Sequence, residues 1–391
     1  MNILLTDADF KHSLGLIRNL GKNGYRPYII SFKKYSLCNH SKYCEREIIV
    51  SNYSSENFEK EFLDIIEKYS IDLVIPVGTS SYKRLVPLKD KYPEKINLIS
   101  VDKDKLEFCF SKENIYKLAE SLDIPIPKTY YPRSLNELNK IKKAVTYPCV
   151  IKSSLEVGEN IVDYAYNESE FGYKYNLLKD RLHSRNENVF PIVQEYIPGN
   201  GCGFFAVYNN GHCGVTFQHF RIREYPPSGG VSACSKSLRN KKVQAYGKKI
   251  LDSLEWHGVA MVEFKMNGNE SPVLLEINPK FWGSCDLGLE AGVNFPLELI
   301  KIAKREETKY SDEYKYPFKY HWPLQGDFDH AISNHRNLWN FIKDCLNPEV
   351  KSNLWWKNDS KPTLCMFKNY IAEILEWAVM SFQHKLLKKR S

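Results

Sequence analysis

The chain has 391 residues, of which 43% are hydrophobic and 26% are charged, and its formal net charge is +8. This composition is that of a globular protein with room for two or three domains and a substantial core. The modest positive charge suits an anionic substrate. The sequence contains no arginine-rich run, zinc-finger spacing or RNA-binding aromatic motif, so we do not expect a nucleic-acid partner.

The ten cysteines are scattered without a CxxC pair, which indicates reduced thiols rather than a disulfide framework or a metal cluster. The N-terminal sequence MNILLTDADF lacks the features of a signal peptide, and no apolar run reaches the length of a membrane span. We therefore expect a cytoplasmic protein.

Residues 1 to about 110 alternate short apolar strands with helical patterns, which predicts a parallel α/β sheet. The opening segments read as a strand (NILLTDA), a helix that ends at Gly24 and a second strand (RPYIISF). Asp7 follows the first strand at its carboxyl end, where such sheets bind ligands. No GxGxxG is present, so a dinucleotide cofactor is not expected.

From Ser111 the pattern changes from α/β to α+β. A helix is predicted to begin at Ser111 and to end before Pro125. PCVIKSS is a short apolar strand that carries Lys152, and VFPIVQEYIPG is another strand. GFFAVYNNGHCGVTF predicts a hairpin with its turn at Asn210-Gly211.

A second hairpin is predicted further along, where two apolar strands are joined by a turn at Asn267-Gly268. A four-residue loop would pair Asn267 with Pro272 at the ends of the two strands. The same register places Glu263 directly opposite Glu276.

The faces of these two strands carry a candidate metal site. Strand alternation puts Asn278 on the same face as Glu276, and two carboxylates with an amide oxygen form a hard-oxygen site suited to Mg²⁺ or Mn²⁺. A buried carboxylate pair repels itself unless a proton or a cation lies between the two groups. The alternative is that Glu263 and Glu276 line a solvated sheet face; the apolar residues around them favour the metal site.

The segment 276–280, Glu-Ile-Asn-Pro-Lys, resembles the signature of the ATP-grasp superfamily, in which a strand glutamate precedes Glu-x-Asn-Pro and a basic residue. The following sequence FWGSCDLGLEAGVNFPLELI extends the resemblance. It is similar to the carbamoyl-phosphate-synthetase-like branch associated with polysaccharide biosynthesis, and the similarity covers the first three quarters of the chain.

This resemblance implies a domain organisation. Residues 1–110 would form a Rossmann-like pre-ATP-grasp domain, and 111–305 a two-lobed ATP-grasp fold. The small lobe would span about 111–195 and the large lobe about 196–305. After about residue 305 the resemblance fades, and we expect a C-terminal helical extension over 306–391.

The resemblance also implies ATP and Mg²⁺ as cofactors. Lys112 and Lys152 match two basic contacts to nucleotide phosphates, although a lysine alone is more often a solvated surface charge. After Lys152 the family has a glycine-rich loop; here Ser153, Ser154 and the rest of 153–158 include one glycine. Serine hydroxyls would supply hydrogen-bond donors in its place.

The segment Gln194-Glu195-Tyr196-Ile197 resembles the hinge between the two lobes. There, Glu195 and the backbone of Tyr196 and Ile197 would hydrogen-bond the adenine edge.

A basic strand and loop, HFRIREYPPSGGVS, are the candidate substrate site. His219, Arg221 and Arg223 alternate along a strand, so their side chains are expected to face one way. The two arginines can clamp carboxylate or phosphate oxygens bidentately. The following loop frees backbone amides for anion binding, at Ser228, Gly229 and Gly230. The alternative is a solvent-facing basic strand with an ordinary loop.

Together with the resemblance, these residues indicate an ATP-dependent carboxylate–amine ligase, and the resemblance implies that the amide forms through an acylphosphate. Lys280 and Arg223 would steady the transferring phosphoryl group, with Arg221 as a further catalytic candidate. The substrates would be a small carboxylate, such as a sugar acid, and an amine. Two alternatives stay open: a bicarbonate-phosphorylating ATP-grasp enzyme, and a non-catalytic nucleotide-binding module of a glycan assembly complex. A homodimer is a further expectation.

The C-terminal sequence MFKNYIAEILEWAVMSFQHKLLKKRS predicts an amphipathic helix. One interpretation packs its apolar residues on the protein body, namely Ile371, Ile374, Leu375, Ala378 and Val379. The alternative is a membrane-surface helix, anchored by Trp377, Phe382 and the basic end.

Overall fold

The computed structural model describes residues 1–156, 161–184, 190–268, 271–333, 335–354 and 356–388, without the side chains of 335, 336 and 377–388. The first region contains a parallel sheet of four strands in the order β3-β2-β1-β4, as the alternating pattern predicts. Its elements are β1 (Ile3–Leu5), α1 (Lys11–Lys22), β2 (Tyr28–Ser31), β3 (Arg46–Ile49), α2 (Phe58–Lys68), β4 (Leu73–Ile75), α3 (Thr79–Lys91) and α4 (Lys103–Phe110). The chain leaves α1 at Gly24, whose φ of 85° is in the left-handed region that glycine favours.

The second region has an antiparallel sheet in the order β5-β8-β6-β7. It is built from α5 (Lys112–Ser121), β5 (Thr129–Tyr130), α6 (Leu135–Ala144), β6 (Cys149–Lys152), β7 (Val162–Ala165), α7 (Glu168–His183) and β8 (Ile192–Glu195). The predicted helix start is confirmed, because the Ser111 side chain accepts a hydrogen bond from the Asn114 backbone N–H at 3.3 Å. This lobe has a hydrophobic core of its own, centred on Phe171, Tyr175 and Leu182.

The third region is a seven-stranded sheet in the order β13-β12-β9-β10-β11-β14-β15. The elements up to residue 305 are β9 (Asn200–Asn209), β10 (His212–Tyr225), β11 (Val231–Ser237), α8 (Lys241–Ser253), β12 (Gly258–Met266), β13 (Val273–Asn278), α9 (Cys285–Ala291) and α10 (Phe295–Ala303). The predicted hairpin turn at Asn210-Gly211 is confirmed, with positive φ at both residues.

The segment after residue 305 is not purely helical. It supplies two strands to the edge of the large sheet, because the buried side chains of Tyr320 and Trp322 anchor it there. Its elements are β14 (Lys319–His321), α11 (Phe328–Ser333), α12 (His335–Leu346), β15 (Lys351–Ser352) and α13 (Lys361–Lys388). The division of the chain at 110 and 305 stays a prediction.

The apolar face of α13 does not pack on the protein body as one interpretation expected. Ile371, Ile374 and Leu375 are 56%, 47% and 61% exposed. Contact with the body ends near Tyr370, whose hydroxyl donates to Asp329 Oδ1 at 2.8 Å, and residues 371–376 are all exposed. The side chains of Ala378, Val379, Trp377 and Phe382 lie outside the described residues. Within the described chain, no helix is both long and apolar enough to cross a bilayer.

A buried ion pair joins the C-terminal segment to the first region. Arg18 on α1 and Asp359 are each 1% exposed at the side chain, and Arg18 Nε donates to Asp359 Oδ2 at 2.8 Å. Arg18 Nη1 also donates to the Asn353 carbonyl at 2.8 Å. The Asp359 carboxylate accepts two more hydrogen bonds, from Ser41 Oγ at 3.0 Å and the Lys42 backbone N–H at 2.9 Å.

We therefore expect Asp359→Ala to lower the free energy of unfolding by about 3–5 kcal/mol, because it leaves the Arg18 guanidinium buried without a counter-charge. Urea denaturation followed by circular dichroism measures the change. Glu307→Ala, which removes an exposed partner of Lys309, is the control and should change stability by less than about 1 kcal/mol. A loss of similar size in both variants would contradict the assignment.

Candidate active site

One cavity of about 620 Å³ lies between the three regions and is lined by residues from each of their sheets. The first region contributes the turn after β1, and the small lobe contributes β6, β7 and β8. The large sheet contributes β10, β12 and β13 together with the segment that follows β13. A cavity at the meeting point of separate sheets is a common location for a ligand site.

The β12–β13 hairpin places two carboxylates on the cavity wall. Glu263 pairs with Glu276 in the antiparallel register, and Met261 pairs with Asn278, so the predicted face-to-face arrangement is confirmed. The register next to the turn is one residue different from the prediction, because Lys265 pairs with Val273 across an irregularity that follows Glu263.

The two carboxylates have opposite electrostatic surroundings. Burial raises the pKa of Glu263; the Arg221 guanidinium, whose Nη2 lies 2.8 Å from Glu263 Oε2, opposes the increase, and Glu276 adds to it. Burial opposes ionisation of Glu276 too, but the Lys112 ammonium, at 3.7 Å, and the Asn278 amide, at 2.7 Å, hold its pKa below the usual range. Two partly buried carboxylates in one site, together with an amide oxygen, form an oxygen donor set that fits a divalent cation.

Lys152 ends β6 inside the cavity. Its side chain is buried, and Nζ donates to the Tyr116 hydroxyl at 3.0 Å. In the described part of the chain no carboxylate oxygen lies within 4.0 Å of Nζ. Burial therefore lowers the pKa of Lys152 to about 8. Its ammonium group lies at the cavity, and the Glu276 and Glu263 carboxylates act on it only at longer range.

The loop after β6 is held by its own polar groups. Ser153 lines the cavity, and its Oγ donates to the Leu155 carbonyl at 2.8 Å. Ser154 does not line the cavity; its carbonyl accepts the Lys112 backbone N–H at 3.0 Å and so positions that lysine. Residues 157–158 of the glycine-poor loop lie outside the described residues.

The predicted hinge, residues 194–197, lines the cavity along its whole length. Gln194 is buried and donates from Nε2 to Thr129 Oγ1 at 2.7 Å. Glu195 accepts the Lys128 backbone N–H at Oε1 at 2.8 Å. Tyr196 and Ile197 follow them on the cavity wall.

The expectation that His219, Arg221 and Arg223 share one face is wrong. The β10–β11 register shifts between Arg221 and Arg223, and a β-bulge breaks strand alternation. Arg221 therefore lines the cavity, whereas Arg223 is directed away from it into a buried network, where it donates to Asp327 at 2.6 and 2.8 Å and to Asp344 at 2.7 Å.

Two other predicted substrate contacts are also outside the cavity wall. His219 is 1% exposed and its ring packs edge-on against Phe205 at 4.6 Å, so it belongs to the core beneath the site. Ser228 is exposed and does not line the cavity, whereas Gly229 and Gly230 do. Arg221 Nη1 donates to the Gly230 carbonyl at 3.2 Å, and this hydrogen bond holds the glycine loop against the Arg221 guanidinium.

Gly201 has a structural role that the sequence analysis did not identify. A Cβ placed there would lie 2.8 Å from Arg221 Cδ, so glycine leaves the space in which the guanidinium reaches Glu263. The Gly201 backbone N–H also donates to Glu224 Oε1 at 3.1 Å.

The first turn of α1 contributes Lys11 and His12, which sequence reasoning also missed. The available signal was the position of this helix start, just after the carboxyl end of the first strand. Lys280 also lines the cavity, as expected, and its Nζ lies 3.3 Å from Asn278 Oδ1. Trp282 lines the cavity just beyond it.

Comparison with known proteins gives consistent matches. A model of ATP-grasp proteins "in the biosynthetic pathway with Ter operon" matches residues 192–325. The formate-dependent phosphoribosylglycinamide formyltransferase of Sulfurisphaera tokodaii is 25% identical over 187 residues, which are 45% of this chain and 46% of that protein. The carbamoyl phosphate synthase large chain of Methanosarcina barkeri is 25% identical over 232 residues, 56% of this chain and 21% of that protein. The chain spans less than half the length of these curated relatives.

Among solved structures, the biotin carboxylase domain of Hydrogenobacter thermophilus 2-oxoglutarate carboxylase, a dimer in complex with MgADP and bicarbonate, matches with a TM-score of 0.67. The two sequences are 14% identical, and the match covers 81% of this chain and 73% of that one. The structural match shows a common fold. The chain is thus similar to ATP-grasp proteins over part of its length, to carbamoyl phosphate synthase large chains in sequence and to a biotin carboxylase domain in fold.

Proposed function

We propose that the protein is an ATP-dependent, ADP-forming carboxylate–amine ligase. The observation that supports this most directly is the pair of facing, partly buried carboxylates, Glu263 and Glu276, on a cavity wall that also carries Lys112, Lys152 and Arg221. Cations beside paired carboxylates suit a metal-bound triphosphate, because the carboxylates hold the metal and the lysines hold phosphate oxygens.

In this proposal, Glu263, Glu276 and the Asn278 amide oxygen would hold Mg²⁺, which would supply positive charge beside the phosphates. Lys112 and Lys152 bind phosphate oxygens, and the backbone at Tyr196 and Ile197 meets the adenine edge. Arg221 stays paired with Glu263 and keeps that carboxylate oriented. The nucleotide thus lies between the small lobe and the large sheet.

The chemistry is two displacements. A carboxylate oxygen of the substrate attacks the γ-phosphorus and the bond to ADP breaks, giving an acylphosphate. The amine nitrogen then attacks the acyl carbon, phosphate leaves, and the nitrogen loses a proton as the amide forms. Negative charge develops on phosphoryl oxygens in the first step and on the acyl oxygen in the second. Lys280, as a fixed cation, would stabilise this charge.

The finer assignments are extensions of this proposal. A sugar acid as the carboxylate substrate, and a place in polysaccharide biosynthesis, follow from the branch that the sequence resembles. A cytoplasmic location fits ten free cysteines, most of them buried. A bicarbonate-phosphorylating enzyme is the second candidate, because a structural neighbour was solved with bicarbonate.

Turnover tests the proposal. We expect ADP release from Mg²⁺-ATP to be stimulated when carboxylic acids and amines are supplied together, and mass spectrometry should find a product lighter than the sum by one water. Glu276→Gln should reduce this turnover on the order of 10²–10³-fold, whereas Glu307→Gln, at an exposed position, should leave it unchanged. Turnover with acids or bicarbonate alone favours the second candidate, and Glu276-independent turnover contradicts both.

The lowered pKa of Lys152 gives a pH test of nucleotide binding. Its ammonium form, which attracts phosphate, predominates below about pH 8 and is lost above it. We therefore expect the dissociation constant for ATP to increase as the pH is raised from 7.5 to 9.5. Lys152→Arg should remove this dependence because guanidinium stays charged, as titration calorimetry would show. The same dependence in both proteins would rule out Lys152 as its source.

We further propose that α13 contacts an anionic membrane surface. Leu364, Phe367, Ile371, Ile374 and Leu375 are between 40% and 67% exposed along one side of the helix. The sequence continues into a basic end with Lys385, Lys388, Lys389 and Arg390. Exposed apolar residues beside cations fit an interface with anionic lipid.

Sedimentation with vesicles checks this contact. The full chain should sediment with phosphatidylglycerol vesicles and much less with phosphatidylcholine vesicles. The double variant Ile371→Glu and Leu375→Glu should lose the binding while keeping ATP binding. If the helix instead mediates a homodimer, the same variant will change the mass measured by light scattering and the vesicles will make no difference.

A further inference from the structure

The end of the cavity next to the β1–α1 turn has positive charge that the protein does not neutralise locally. Lys11 Nζ lies 3.4 Å from the carbonyl oxygens of Ser232 and Gln325 and 4.8 Å above the Trp322 ring. In the part of the chain that the structure describes, neither Lys11 nor Lys280 has a carboxylate oxygen within 4.0 Å. A Cβ built at Gly283 would lie 3.5 Å from Lys11 Cε, so the Lys11 stem lies against the segment that follows Lys280.

Asp7 and Asp9, two acidic residues at this end of the cavity, have hydrogen-bond partners within the first region. The Asp7 carboxylate accepts from Ser81 Oγ at 2.6 Å, from the Gly78 backbone N–H at 2.7 Å and from the Tyr53 hydroxyl at 3.1 Å. Asp9 accepts the Leu37 backbone N–H at 3.1 Å and lies 3.3 Å from Lys33 Nζ. The Asp7 carboxylate is therefore held by neutral hydrogen-bond donors and the Asp9 carboxylate by an ion pair, all within the first region.

Two further carboxylates act on Lys11 at longer range, and both have direct partners of their own. Asp286 accepts from Trp322 Nε1 at 3.1 Å, and Asp327 is held by Arg223 at 2.6 Å. Their charge does not outweigh burial, which lowers the pKa of Lys11 to about 8. At neutral pH the ammonium form still predominates, and its charge is open to an anion in the cavity.

His12 adds a neutral polar group between the two lysines. Its ring stacks on Phe10 at 5.1 Å, and its Nδ1 is buried without a hydrogen-bond partner among the described residues. Burial, with the charges of Lys11 and Lys280, lowers the pKa of His12 to about 3, so the imidazole is neutral. A proton on Nδ1 would have no acceptor, so the tautomer with the proton on Nε2 is favoured. That N–H is a hydrogen-bond donor.

We propose that Lys11, His12 and Lys280 form a carboxylate subsite, which binds the acid substrate by its reacting carboxylate. All three residues line the cavity, the charges of both lysines act on His12, and together they offer two ammonium groups and an imidazole N–H. Lys280, whose Nζ lies 3.3 Å from Asn278 Oδ1, connects this subsite to the Glu263–Glu276 wall. The bound carboxylate would thus face the γ-phosphate. This inference rests on the proposed function and adds to it the position of the acid.

A purely structural role for Lys11 is the competing explanation, since it also braces the Ser232 and Gln325 carbonyls. The two explanations differ in a measurable way. A structural lysine responds to no ligand, whereas a subsite lysine is shielded by any small carboxylate. Formate is the minimal probe, because it has the carboxylate and no other recognition group.

The experiment is competitive reductive methylation of the full chain at pH 8 with formaldehyde and dimethylamine–borane, read by peptide mass spectrometry. We expect formate to decrease the methylation rate of Lys11 severalfold relative to chloride at equal ionic strength, while Mg²⁺-ATP protects Lys152. Lys309, which is highly exposed, is the internal control and should not respond. If ATP protects Lys11 and formate does not, Lys11 contacts the nucleotide, and the proposal of a carboxylate subsite is wrong.

The outcomes keep the two proposals separate. If ATP protects Lys152 and formate leaves Lys11 unprotected, the carboxylate subsite is wrong and the nucleotide site stands. If ATP fails to protect Lys152, the proposed function itself is in error.

Kinetics on an acid identified by the turnover assay give a second readout. Lys11→Met should raise the KM for the acid on the order of 10–100-fold, the effect of losing one charge-assisted hydrogen bond, with a smaller change in kcat and none in the KM for ATP. His12→Ala should raise the same KM, and His12→Asn, which keeps a donor, should recover part of it. Equal effects of His12→Asn and His12→Ala would exclude the donor role.

Discussion

Repulsion between Glu263 and Glu276 is the constraint around which the cavity is arranged. The hairpin register brings two carboxylates face to face in a partly buried position, and such a pair is stabilised in its ionised form by positive charge nearby. Arg221 supplies it on one side and Lys112 on the other. Each cation comes from a different part of the fold, so the small lobe and the large sheet are held together partly by the charge of one hairpin.

The two ends of the cavity each contain charged side chains that differ in whether they form a direct ion pair. At the end proposed to bind the nucleotide, Lys112 lies 3.7 Å from Glu276, while Lys152 has no carboxylate oxygen within 4.0 Å among the described residues. At the opposite end, Asp7 and Asp9 have hydrogen-bond partners in the first region, and among the described residues Lys11 and Lys280 form no ion pair within 4.0 Å. Each end thus has an ammonium group without a direct ion pair, and the Glu263–Glu276 pair lies on the wall of the same cavity.

The parts of the site that could be predicted from the sequence depend on local rules. Glu263 opposite Glu276 follows from strand alternation and one tight turn, and the β-bulge beyond them left that pairing intact. Arg223 was misplaced because a bulge in β10 has no reliable signal in a basic, polar strand. Lys11 and His12 meet Lys280 only through tertiary folding, across more than 260 positions of sequence, and no periodicity reports such a contact. For α13 the sequence left packing on the body and a membrane surface both open, because amphipathicity indicates an apolar face but not its partner.

The buried pair of Arg18 and Asp359 limits how this chain can be divided. An ATP-grasp core that ended near residue 305 would lose the strands that cover the edge of β11 and would leave a guanidinium stranded under α1. The segment after residue 305 is therefore not a detachable module. Gene fusions, truncations for crystallisation and exchanges between relatives must keep residues 18 and 359 in the same polypeptide, or replace both together.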